Sequence, residues 1–77
     1  MDSRVHYVTV DYAVVDNPYE GFCPTLIKRH PGDPDEKEVT KILNLLGMLK
    51  FGEPYYRSDG LWCHKLKMNG ASDGTSV

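Results

Sequence analysis

Pro31-Gly32-Asp33-Pro34-Asp35-Glu36 divides the chain into two halves of different character. Pro31 and Gly32 close the extended structure before them. Asp33 suits a helix N-cap, Pro34 the first helical position, where its missing N–H costs nothing, and Glu36 the third position of a capping box. A helix is therefore predicted to begin at Pro34. Val39, Ile42, Leu43, Leu46 and Leu49 then recur at helical spacing and form its buried stripe, and Gly52 followed by Pro54 ends the element near Phe51. Asp35, Glu36 and Glu38 at its start and Lys50 near its end agree with the helix dipole.

Upstream, Val5 to Val15 is dense in β-branched and aromatic residues with no Gly or Pro, which predicts one strand. Val8, Val10, Tyr12 and Val14 fall on its packed face, Thr9 and Asp11 on the other. Asp16-Asn17-Pro18 stops the strand, Tyr19 to Pro24 is expected to be a loop, and Thr25 to His30 a second strand paired with the first. Downstream, Tyr55-Tyr56-Arg57 and Leu61 to Met68 flank Ser58-Asp59-Gly60, a hairpin signal. The expected register sets Arg57 against Trp62, Tyr56 against Cys63 and Tyr55 against His64, with Trp62, His64, Leu66 and Met68 on one face.

These elements predict an α+β fold: a small antiparallel sheet in β-β-α-β-β order with one helix packed on one face. Residues 1–68 are expected to form a single compact domain and residues 69–77, small and polar, a disordered C-terminal tail.

The chain has 77 residues, 40% hydrophobic and 26% charged, ordinary for a small globular protein and against wholesale disorder. It shows neither a secretory leader nor an apolar run of bilayer length, so no membrane association and a cytoplasmic location are expected. In that compartment Cys23 and Cys63 are expected to be free thiols. A formal net charge of −2 argues against duplex nucleic-acid binding, although a local basic patch stays open.

Candidate chemistry is sparse. Cys23, His30, Cys63 and His64 carry metal-ligand side chains, but neighbours on a strand point to opposite faces, so Cys63 and His64 cannot easily grip one ion. No P-loop, dinucleotide fingerprint or nucleophile elbow occurs. No metal, cofactor or catalytic residue is assigned, and the chain is read as non-enzymatic. An alternative is a thiol-dependent enzyme in which Cys23 or Cys63 is activated by His6, His30 or His64. The acidic group Asp33, Asp35, Glu36 and Glu38 is explained by helix capping.

Two surface chemistries remain. Leu45 and Met48 flank the helix stripe, Val5, Tyr7 and Val15 lie on the outer face of the first strand, and a single helix cannot cover both faces of a sheet. Val5, Tyr7, Tyr55, Tyr56, Arg57 and Trp62 are accordingly the expected protein-binding residues of a small regulator or inhibitor docking onto a larger protein or complex. Size alone associates such a domain with phage products that act on host RNA polymerase or a defence nuclease. The competing reading is a single-stranded nucleic-acid-binding module using the hairpin residues Tyr55, Arg57, Trp62, Lys65 and Lys67, rings to stack bases and cations to follow phosphates. A monomer is preferred over a homodimer.

Overall fold

The computed structural model describes residues 5–17 and 23–68. The run from Val5 to Val15 is two strands rather than one: β1 spans Val5–Tyr7, β2 spans Tyr12–Asn17, and the chain turns back between them. Thr9 Oγ1 accepts hydrogen bonds from the backbone N–H groups of Asp11 (3.2 Å) and Tyr12 (3.1 Å). The N–H groups of Val8 and Thr9 both donate to the Tyr12 carbonyl at 3.0 Å. This local side-chain-to-backbone bonding competes with extended structure and overrides the β propensity of the run. β1 and β2 pair antiparallel, with Val5 opposite Val15 and Tyr7 opposite Ala13. Val10, expected to face the core, lies in the turn and is exposed.

β3 spans Cys23–Lys28 and pairs antiparallel with β2, from Tyr12 opposite Lys28 to Asn17 opposite Cys23. It takes in Cys23 and Pro24, expected in a loop, and stops short of His30. Pro24 is accommodated because the ladder on the other side of β3 begins at Thr25, so its missing N–H costs that ladder no bond.

The helix α1 spans Glu36–Leu46, shorter at both ends than the predicted 34–51. Its N-cap is Asp35, not Asp33: Asp35 Oδ1 accepts from the N–H groups of Lys37 (3.0 Å) and Glu38 (3.4 Å). The backbone N–H of Asp35 donates to the hydroxyl of Tyr12 at 2.9 Å, which ties the start of α1 to the middle of the sheet. Gly47 ends the helix in the left-handed region (φ 68°), where a side chain would be strained, and frees the following residues to become β4, Met48–Lys50.

β5, Tyr55–Tyr56, and β6, Trp62–Met68, form the predicted hairpin in a register shifted by one residue: Tyr55 lies opposite Cys63 and Tyr56 opposite Trp62. The turn is the cause. The Gly60 N–H donates to the Arg57 carbonyl (2.8 Å) and the Arg57 N–H to the Leu61 carbonyl (3.0 Å), with Gly60 at φ 86° forming a bulge that sets Arg57 against Leu61 instead of Trp62.

The strands form a six-stranded antiparallel sheet in the order β1-β2-β3-β6-β4, with β5 also on β6 beside β4. The class is the α+β expected, but the helix follows three strands instead of two. The expected tail, residues 69–77, lies outside the described residues. α1 covers one face through Val39 and Ile42, which pack with Tyr12, Val14, Leu26, Trp62 and Leu66, flanked by Val8, Leu43 and Met48. On the opposite face Ala13, Ile27 and Cys63 form a smaller buried group with Val15 and Leu61. Among the described residues no helix is long and apolar enough to cross a membrane.

Replacing Tyr12 with Phe keeps the ring in the core and removes the partner of the Asp35 N–H. A loss of about 1 kcal/mol is expected, lowering the melting midpoint by about 4–8 °C in thermal denaturation followed by circular dichroism. Burial raises the Tyr12 phenol pKa. Above the ordinary phenol range near pH 10 the unfolded chain therefore loses that proton first, and stability falls as pH rises. This part of the alkaline loss should be absent in Tyr12→Phe.

Candidate protein interface at the β4–β5 margin

β4 and β5 lie end to end along the same side of β6, separated by the segment 51–54. The register alternates their side chains between the two faces. Met48 and Lys50 share the helix side with Leu66 and Met68, whereas Leu49 and Tyr55 share the opposite face with Lys67 and Cys63. Along this margin Leu49 (42%), Phe51 (46%), Tyr55 (36%) and Tyr56 (55%) keep a third or more of their surface exposed. Met68, opposite Met48 at the end of β6, is exposed as well.

Polar bonds brace the residues around this margin. Lys50 Nζ meets Glu36 Oε1 at 3.1 Å, fastening β4 to the first turn of α1. The Tyr56 hydroxyl donates to Asp33 Oδ1 at 3.2 Å, and loss of solvent together with that carboxylate pushes its phenol pKa up. Arg57 donates through Nε to Asp59 Oδ1 at 3.2 Å and through Nη2 to Asp59 Oδ2, while Asp59 Oδ1 also accepts from the Leu61 N–H at 3.2 Å. The guanidinium holds the Asp59 carboxyl below its ordinary range, and its own pKa is raised in return. Phe51 has the ammoniums of Lys65 and Lys67 at 5.8 and 5.7 Å from its ring centroid, within cation–π range.

The structure separates the residues named from the sequence. Tyr55, Tyr56 and Arg57 stand at this margin. Val5 and Tyr7 stand on β1, at the far edge of the sheet, where Tyr7 is 69% exposed and the Arg29 guanidinium lies 4.4 Å from its ring centroid. Trp62 belongs to neither surface: it is 3% exposed, packed in the main core with the edge of the His64 ring against it at 5.9 Å. Its place on the helix face of β6 removes it from both the protein-binding and the nucleic-acid-binding sets. Of the latter, Tyr55, Arg57, Lys65 and Lys67 remain on or beside the margin. Leu49 and Phe51 were missed because both were read as the end of the helix. The signal was Gly47, which directly follows the last residue of the apolar stripe on α1.

The two cysteines are free thiols in different settings: Cys23 is half-buried with Sγ 3.4 Å from the Leu66 carbonyl, whereas Cys63 is buried. Burial pushes the Cys63 thiol pKa up, the direction opposite to nucleophile activation. Cys63 and His64 face opposite sides of β6, and no cluster of three metal-ligating side chains occurs among the described residues. Comparisons with protein-family models, curated proteins and solved structures found no match to this chain.

In the native protein at neutral pH, Cys63 should react with iodoacetamide at least about tenfold more slowly than a free thiol and reach the free rate only on unfolding, as mass spectrometry of the alkylated peptide would show. Rapid native labelling would instead support the thiol-enzyme alternative. Replacing Asp59 with Asn should speed hydrogen exchange of the Leu61 amide, read by NMR. Because the Asp59 pKa is lowered, its contribution is present above the ordinary carboxylate range and lost as pH falls through the folded value, so wild type and variant should converge in acid.

Proposed function

We propose that this protein is a small, non-catalytic binding module that docks along its β4–β5 margin onto a larger cytoplasmic protein, acting as a monomeric regulator or inhibitor of it. One observation carries the proposal: four large apolar or aromatic side chains, Leu49, Phe51, Tyr55 and Tyr56, stay at least one-third exposed within eight consecutive residues of a hydrogen-bonded margin. Burying such rings on a pre-ordered scaffold is what protein interfaces use as anchors, since little further conformational entropy is lost on binding. Arg57 and Lys67 supply a polar rim to the same stretch. An RNA polymerase or a defence nuclease is the kind of partner that the size of the domain suggests.

A second reading has its own support. The Phe51 ring with Lys65 and Lys67 beside it is the pairing of aromatic face and cations that single-stranded nucleic acids use, with Tyr55 close by on the same side of β6. The two readings part in their response to salt and nuclease.

The test is capture from cytoplasmic extract by the tagged protein, with and without nuclease, followed by titration of the retained partner. A stoichiometric protein should survive nuclease. The variants Phe51→Ala and Tyr56→Ala should each weaken it by about thirtyfold, the effect of losing a hot-spot residue of about 2 kcal/mol. Tyr7→Ala, at the far edge of the sheet, should leave affinity within about twofold, as near-neutral surface substitutions do. Retention abolished by nuclease and by neutralising Lys65 and Lys67 would transfer the margin to nucleic acid; unchanged affinity in both margin variants would overturn the placement.

A further inference from the structure

The backbone of β4 has a direction that its side chains do not reveal. The Phe51 N–H donates to the Lys65 carbonyl at 2.8 Å, which makes these two residues a hydrogen-bonded pair of an antiparallel ladder. Bonded and non-bonded pairs alternate along such a ladder, so Leu49 opposite Lys67 is again a bonded pair, whereas Lys50 opposite Leu66 and Met48 opposite Met68 are not. The N–H and C=O groups of Leu49 therefore point to β6, and those of Met48 and Lys50 point away from it. β4 ends the strand order, and among the described residues no backbone group meets those outward donors and acceptors.

Beside this open edge runs a groove of about 470 Å³, lined by Leu43 and Asn44 of α1, Met48, Leu49 and Lys50 of β4, and Lys67 of β6 among others. Its walls are apolar where α1 meets β4. Among the described residues its charged lining is two ammoniums and no carboxylate, in a chain whose formal net charge is −2. Lys50 shares its charge with Glu36, whereas the Lys67 ammonium lies 5.7 Å from the Phe51 ring centroid and forms no ion pair among the described residues. An edge strand flanked by a helix and an apolar groove is the geometry in which extended peptides bind by adding a strand.

We propose, resting on the docking reading above, that an extended acidic segment of the protein partner adds to the sheet beside β4, bonding to the outward backbone groups of Met48 and Lys50. Alternate side chains of that segment enter the groove toward Leu43 and Met48, and the intervening carboxylates face Leu49 and Lys67. The three residues of β4 set the length of paired chain at about 10 Å. The charge of the lining selects glutamate or aspartate over lysine.

The probe is a synthetic heptapeptide alternating glutamate and valine, titrated into isotopically labelled protein, with a lysine–valine peptide and a short oligothymidylate as the other arms. The acidic peptide should slow hydrogen exchange at the Met48 and Lys50 amides while the Leu49 amide, already bonded to β6, changes little. Lys67→Glu should weaken binding by about tenfold, the loss of one charge-assisted hydrogen bond. Lys50→Pro removes an outward N–H and should weaken binding more than Lys50→Ala, which removes the same ammonium and its ion pair with Glu36 but keeps the N–H. If the proline variant does not fold, amide exchange in the wild-type protein decides alone. Equal binding of the lysine–valine peptide, or no change at Met48 and Lys50, would overturn the proposal, as would binding of the oligothymidylate alone at this groove. Failure here with Phe51→Ala and Tyr56→Ala still abolishing partner capture would remove strand addition and leave the docking reading standing; the reverse result would separate them the other way.

Discussion

The hydroxyl of Tyr12 joins the two layers of the molecule. Tyr12 is fully buried under α1, and its oxygen accepts the N–H of Asp35, the residue whose carboxylate caps the first turn of the helix. An eleven-residue helix with only Val39 and Ile42 fully buried is short for independent stability, because nucleating the first turn is unfavourable and few apolar contacts offset it. Fixing Asp35 in space orders that turn from outside. The same bond gives the buried hydroxyl its partner, without which its desolvation would cost more than the contact returns. With the start of α1 set by Tyr12 and its end by Gly47, the position of β4 follows, and with it the margin on which the functional proposal rests.

What composition and periodicity revealed was the class of the longer segments, β2, β3, α1 and β6. Alternation marked β2 and the long β6, the 3.6-residue repeat marked α1, and Asp-Gly marked the last turn. The boundaries escaped because each turned on a competition between equally plausible local bonds. Asp33 and Asp35 are both capable N-caps, and the buried Tyr12 hydroxyl, distant in sequence, favours Asp35. Gly47 and Gly52 are both capable helix ends; stopping at Gly47 lets Met48 to Lys50 pair with Leu66 to Met68, a gain invisible in any local window. The hydroxyl of Thr9 turned an apparent eleven-residue strand into two, against the propensity of nearly every residue around it.

The candidate site suffered most from parity. In a strand a shift of one position exchanges the faces, so the bulge at Gly60 moved Tyr55 from the expected helix face to the other and set Tyr56 opposite Trp62. The surface role expected of Trp62 failed for a simpler reason: a large ring on the helix face of β6 is the best available filler for the space beneath a short helix. Tyr7 was correctly judged to face outward, but the turn at Thr9 carried it to the opposite edge of the sheet from Tyr55 and Tyr56.

The break between β4 and β5 has a consequence beyond the placement of side chains. Had residues 48–56 run as one continuous strand, the sheet would end in a long apolar edge able to template copies of itself, the starting point of fibrous aggregates. Gly52 and Pro54 divide it into pieces of three and two residues, too short to nucleate stacking of that kind. The apolar margin is thus presented as two short pieces of strand instead of one continuous template.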